Sequence, residues 1–277
     1  MQSWIPTTCK SHAAHDPFRP DIPPSGRYNG GIITDYSAFG TWCQNLASQF
    51  KSDSKIIFDT NNEYHTMDQQ LVFNLNQQCI NGIRAAGATN QLILIEGNAW
   101  TGAWTWVSSG NAASLISLTD PNNNIAYQMH QYLDTDGSGT SPVCVSPTIG
   151  AERIKAATEW LKANNKKGFL GELGAGSNDA CISAVKGALC AMQQSGVWIG
   201  ALWWAAGPWW GGEFCFFPYW RGPLTLVNRL LPVHRAAERT GDREDFARGV
   251  VAVCVEETRR DFVVLAKIMQ RHLCISE

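Results

Sequence analysis

From Lys55 onward, short apolar runs alternate with stretches of helical period, and this alternation limits the architectures open to the chain more than any other feature. The runs are Lys55–Asp59 (KIIFD), Gln91–Ile95 (QLILI), Ile125–Met129 (IAYQM), Gly168–Leu170 (GFL) and Val197–Leu202 (VWIGAL). They read as strands buried on both faces, as in a parallel sheet. Asp35 to Phe50 places Phe39, Trp42, Cys43, Leu46 and Phe50 on one helical stripe. Thr66 with Gln69 forms a capping-box signature ahead of Leu71, Leu75, Cys79 and Ile83, and Gly87 can take the left-handed position that closes that helix. Gly150 to Asn164 and Asp179 to Gln194 repeat the helical period. Five strand–loop–helix units in succession imply an α/β fold, either a doubly wound sheet or a (β/α)8 barrel of the TIM type. No glycine-rich phosphate loop follows any strand, which favours the barrel.

Composition narrows the partners. The formal net charge of −2 and a pI near 6.3 leave no electrostatic footprint for nucleic acid or a membrane surface, so a neutral partner is expected. Nine cysteines show no C-x-x-C pair and no histidines at zinc spacing, so neither a metal nor a cofactor is expected, and the odd count leaves at least one thiol unpaired. Twelve tryptophans cluster around Trp100, Trp104 and Trp106 and around Trp203, Trp204, Trp209 and Trp210, and some of them must be core. Met1 to Pro24 has no apolar stretch after a basic start, and no segment approaches the ~18 apolar residues of a membrane span.

Three regions are expected. Residues 1–25 are irregular, 26–212 carry the barrel pattern, and 213–277 change character. Nine of the thirteen arginines lie between Arg221 and Arg271, and Asn228 to Gln270 reads as surface-charged helix, or as disordered, despite runs of β-branched residues such as Val250, Val251, Val253 and Val255.

In a parallel barrel the catalytic side chains stand at the C-terminal ends of strands. Asn61-Asn62-Glu63-Tyr64 directly follows KIIFD, and Gly171-Glu172-Leu173 directly follows GFL. Two carboxylates are thereby aimed at one mouth. Cleavage of a glycosidic bond needs one carboxylic acid to protonate the leaving oxygen and a second carboxylate at the anomeric carbon, and a separation of ~5 Å gives retention of configuration. His130 and Tyr132, two apart in an extended run, fall on the same side of their strand. Pyranose faces pack on aromatic rings, which makes Trp100, Trp104, Trp209 and Trp210 candidate sugar platforms.

The runs IIFDTNNEYHTMDQQLVFNLNQ, GIRAAGATNQLILIEGNAWTGAW, YQMHQYLDTDGSGT, GFLGELGAGSNDAC and VWIGALWWAAGPWWG, in that order, resemble the fungal endoglucanases of glycoside hydrolase family 5 over about Gly26 to Gly211. The resemblance implies barrel strands four to eight, with Asn62 and Glu63 after the fourth strand as 2-hydroxyl ligand and acid/base, and Glu172 after the seventh as nucleophile. It gives His130 and Tyr132 the roles of orienting the acid/base and hydrogen bonding the nucleophile. Trp204 becomes the floor of the cleavage subsite, and Cys144 with Cys181 becomes a disulfide. It also implies a β-glucan substrate such as cellulose, a monomer, and an extracellular site of action, although this chain shows no signal peptide. A β-mannanase or xyloglucanase would use the same carboxylates. The barrel is expected to be incomplete, because Asp21–Gly26 reads DIPPSG and puts Pro23 where the family's third strand carries a histidine. A catalytically impaired, glycan-binding fragment is the alternative that follows.

Overall fold

The computed structural model describes residues 26–28, 31–206, 250–255 and 264–266, and at 27–28 and beyond Trp204 the backbone alone. The irregular segment Met1 to Pro24, Trp209 and Trp210 lie outside the described residues. The chain divides into two compact units, residues 1–130 with 159–169 and residues 131–158 with 170–277.

In the first unit a two-residue ribbon, β1 (Arg27–Tyr28) with β2 (Gly31–Ile32), precedes helix α1 (Tyr36–Phe50). Asp35 caps α1, its side chain accepting from the Ala38 amide at 2.9 Å, and the helix buries Phe39, Gly40, Cys43 and Ala47. Helix α2 (Gln69–Ala85) buries the facing stripe Val72, Leu75, Cys79 and Ile83. The two helices touch backbone to backbone, since a Cβ on Gly82 would sit 2.1 Å from the Gly40 carbonyl oxygen. One turn away Cys43 and Cys79 form a disulfide that the sequence did not reveal.

The start of α2 corrects the capping-box expectation. Asp68, not Thr66, caps the helix by accepting from the Leu71 amide at 2.9 Å, and Thr66 lies in the left-handed region at φ 53°. Gln69 could not complete a box because its amide donates to the Ser109 carbonyl at 2.7 Å and its oxygen accepts from the Ser114 hydroxyl. At the other end Gly87, at φ 91°, takes the expected left-handed position.

Strand β3 (Phe58–Asp59) pairs in parallel with β4 (Ile93–Glu96), and β4 with β5 (Ile125–Tyr132), in a register that sets Glu96 beside Gln128. The apolar residues of β4 are wholly buried, as a strand covered on both faces requires. A 3-10 turn (Ala99–Thr101) and a short helix α3 (Asn111–Ser114) lie between β4 and β5. Trp106 is fully buried and packs edge-on against Tyr127, with Trp160 beside both, which settles one tryptophan of the first cluster as core. Arg84 on α2 makes a paired contact to Asp120, Nε to Oδ1 at 2.7 Å and Nη2 to Oδ2 at 2.8 Å, with both side chains nearly unexposed.

Helix α4 (Ile149–Ala163) and strands β5 and β6 (Gly168–Gly174) each have residues in both units. In the second unit α5 (Asp179–Ser195) starts at Asn178, whose side chain accepts from the Cys181 amide, and ends at Gly196 with φ 70°. Strand order there is β6, β7 (Trp198–Ala206), β8 (Val250–Val255) and β9 (Val264–Ala266), with β8 parallel to β7 and antiparallel to β9. Strands therefore stand within the stretch expected to be helical or disordered. Three of the four residues in Val250-Val251-Ala252-Val253 are β-branched, and the backbone of the run pairs along Gly200 to Trp203 on β7.

Candidate active site

Glu63 follows β3 in a turn that places its own backbone at φ 54°, a left-handed conformation unusual for a residue with a side chain. Its carboxyl is partly exposed, and Oε1 lies 2.6 Å from His130 Nδ1. His130 is buried near the end of β5, where its carbonyl accepts from the Ala103 amide at 2.9 Å. Asn62, half-buried, directly precedes Glu63.

Behind this pair stands Glu96, the last residue of β4 and fully buried. Its Oε2 accepts from the Glu63 backbone N–H and its Oε1 from the Gln128 side-chain amide. Gln128 also donates to Asp59 Oδ2 at 2.7 Å, and His130 Nε2 lies 3.6 Å from Glu96 Oε1. Glu96, Gln128 and Asp59 were not singled out from the sequence. The rule that found Glu63, an acid at the end of an apolar run, applies equally to Asp59 in KIIFD and to Glu96 in QLILIE. Tyr64 is buried beside them, and burial, followed by the charges of Glu96 and Asp59, pushes its phenol well above the usual tyrosine range.

The loop after β4 raises Trp100 on the rim. Ala99, Trp100 and Thr101 all have positive φ, and the Trp100 amide donates to the Tyr64 carbonyl at 3.0 Å. Thr101 ties the loop to β5 through its hydroxyl, which donates to the Gln128 carbonyl at 2.7 Å. Trp100 is 54% exposed and stacks on His65, ring centroids 4.8 Å apart and planes within 5°. Trp104 is 48% exposed. Large aromatic faces left open beside a buried Trp106 are what a platform needs and a core does not.

In the second unit Glu172 is buried on β6 and accepts from the Tyr132 hydroxyl, Oη to Oε2 at 2.6 Å. The Tyr132 ring is wedged between glycines, since a Cβ on Gly139 or Gly174 would lie 2.5 Å and 2.7 Å from its carbons. Arg153 of α4 donates to the Tyr132 carbonyl at 2.6 Å and to the Thr135 carbonyl at 3.1 Å, which fixes the end of β5. Asp134 accepts from the Gly139 and Ser141 amides, both at 3.0 Å, and so shapes the turn that carries Gly139. Cys144 and Cys181 form the disulfide the resemblance implied, joining the loop after β5 to the start of α5. Trp204 is half-buried on β7. Glu63 is thus brought to His130, and Glu172 to Tyr132.

Comparison with known proteins gives these residues a context. Residues 12–208 match the family Cellulase (glycosyl hydrolase family 5), a match that begins ahead of the motifs at Gly26. The chain is 59% identical over 202 residues to the probable endo-beta-1,4-glucanase B of Aspergillus kawachii, covering 73% of this chain and 59% of that protein. It resembles the crystal structure of an endo-beta-1,4-glucanase from Xanthomonas axonopodis pv. citri, with TM-score 0.69 and 40% identity over 76% of this chain and 72% of that one. XacCel5A in complex with cellopentaose is also similar, with TM-score 0.67 and 40% identity over 70% and 64% of the two chains. The chain spans about three fifths of the length of the curated relatives it matches. The fold class is α/β of the (β/α)8 barrel type, carried among the described residues by five parallel strands, β3 to β7. By sequence and by fold, the chain belongs to glycosyl hydrolase family 5.

Proposed function

We propose that this chain is the catalytic part of a retaining endo-β-1,4-glucanase, with Glu172 as nucleophile and Glu63 as acid/base. The observation that carries this reading is that each glutamate has its own partner at a strand end: Tyr132 for Glu172 and His130 for Glu63. Glu172 attacks the anomeric carbon and forms a glycosyl ester while Glu63 protonates the departing oxygen. Water, deprotonated by Glu63, then releases the sugar with its configuration retained. The Tyr132 hydroxyl donates to Glu172 Oε2 and so orients the attacking carboxylate. Asn62 donates to the sugar 2-hydroxyl, a contact that strengthens as charge develops at the anomeric carbon. Trp204 floors the cleavage subsite, and Trp100 and Trp104, with Trp209 and Trp210 further along the chain, support flanking sugars. The substrate is a β-glucan chain, met by a monomer outside the cell. The disulfides among the described residues support an oxidising compartment, and no described helix is long and apolar enough to cross a membrane.

The test is hydrolysis of carboxymethyl-cellulose, β-mannan and xyloglucan by the purified chain, followed by proton NMR of the first-formed anomer. Carboxymethyl-cellulose is expected to be cleaved with the β-anomer appearing first, and Glu172→Gln is expected to lower kcat by roughly 10³-fold or more. Faster cleavage of mannan or xyloglucan would assign the chain to those glycans. Binding of cello-oligosaccharides without turnover, indifferent to Glu172→Gln, would leave a glycan-binding fragment.

A further inference from the structure

Glu96 has the geometry of a group built for Glu63 rather than for the core. A buried carboxyl in a sheet costs stability unless it is fully hydrogen bonded, and this one is spent on particular partners. Oε2 takes the Glu63 backbone N–H and Oε1 takes the Gln128 amide. Both oxygens therefore act as acceptors. Gln128 cannot turn its oxygen toward Glu96 without also facing that oxygen to Asp59 Oδ2, so its orientation is fixed by a second carboxylate.

Two consequences reach Glu63. Its backbone stands at φ 54°, a conformation that needs outside support, and the hydrogen bond its N–H donates to Glu96 Oε2 supplies it. The buried imidazole of His130 lies between the two carboxyls, Nδ1 at 2.6 Å from Glu63 Oε1 and Nε2 at 3.6 Å from Glu96 Oε1. A carboxylate on the Nε2 side favours a proton on Nε2. The short Nδ1 contact then joins His130 to Glu63.

Building on the acid/base reading above, we infer that Glu96 is a positioning residue for Glu63: it anchors the left-handed turn that presents the acid/base and fixes Nε2 as the protonated far nitrogen of His130. It touches no reacting atom. Its effect belongs in kcat, because misplacing the acid/base costs the transition state and leaves the sugar platforms untouched.

The experiment combines Glu96→Gln, which keeps length and volume, with long-range proton–nitrogen NMR of the His130 ring, assigned by the signal lost in His130→Gln. In the unmodified protein Nε2 is expected to carry a proton. In Glu96→Gln that signature is expected to move, with kcat on carboxymethyl-cellulose down roughly 10- to 100-fold and KM changed by less than about twofold. An unprotonated Nε2 in the unmodified protein would overturn the inference, and so would a substituted protein with unchanged kcat and unchanged ring signals. If Glu96→Gln does not fold, the spectrum of the unmodified protein decides. If the folded, unmodified protein turns over no glucan, the glucanase reading fails while the ring spectra still decide the role of Glu96.

Discussion

At the scale of single residues, Tyr132 does two jobs that can be separated. Its hydroxyl holds Glu172 Oε2 at 2.6 Å, and its ring fills the gap left by Gly139 and Gly174. Tyr132→Phe removes the first and keeps the second. The glucanase reading expects it to lower kcat/KM by roughly 10- to 100-fold while the melting temperature moves little, because the ring still packs. A steady-state assay beside a thermal melt checks both halves. Glu63 and Glu172 stood out in the sequence because each is an acid shortly after an apolar run. Glu96 and Gln128 escaped notice because their importance comes from register. Only when β4 and β5 are laid side by side do the two meet, and no short stretch of sequence encodes that pairing.

Among elements, the junction of α2 with the loop before β5 depends on Arg84 and Asp120. Burial works against ionisation of Asp120, but hydrogen bonds from Arg84 and from the Asn124 and Asn122 amides outweigh it and hold the carboxyl below the usual range. The folded-state value is depressed, so this stabilisation is complete above the unfolded-state value of ~3.9 and is lost as pH falls through the lower folded value. Asp120→Asn is expected to cost about 3 kcal/mol at neutral pH, because it leaves Arg84 buried without its counter-charge. Urea melts at pH 7 and near pH 3 should show that penalty shrinking in acid. Helices α1, α2, α4 and α5 were readable from their helical period, and the end of α2 from Gly87. The cap of α2 was not, since Thr66 and Asp68 both belong to capping types and the choice fell to the distant partners of Gln69. The valine strand β8 shows the opposite failure: surrounding charge suggested helix or disorder, while local side-chain shape favoured an extended chain.

For the molecule as a whole, the order of strands and helices was written plainly in the alternation of apolar runs, because a strand covered on both faces must be apolar throughout. Of the two disulfides with both partners described, one was visible in the sequence. Cys144–Cys181 came from a family likeness, and Cys43–Cys79 came from neither spacing nor likeness. The bridges close sequence separations of 36 and 37 residues, each worth about 2–4 kcal/mol in the chain-entropy account. Treatment with a strong reductant at neutral pH is expected to lower the melting temperature by several degrees, roughly 10 °C or more if these two bridges open together. A calorimetric scan with and without reductant measures it.

The contact between α1 and α2 makes four positions inseparable. Gly40 and Gly82 let the backbones meet, and Cys43 and Cys79 lock them one turn away. A methyl group at residue 82 would drive the helices apart and carry the sulfurs out of bonding reach. Loss of the bridge, in turn, would leave two glycines that weaken their helices without the close approach that justifies them. Measured one at a time, substitutions at these positions would not sum, because each abolishes what the others are for. The seam behaves as one heritable unit spelled at four places, and a variant there must be read as a genotype rather than as a residue.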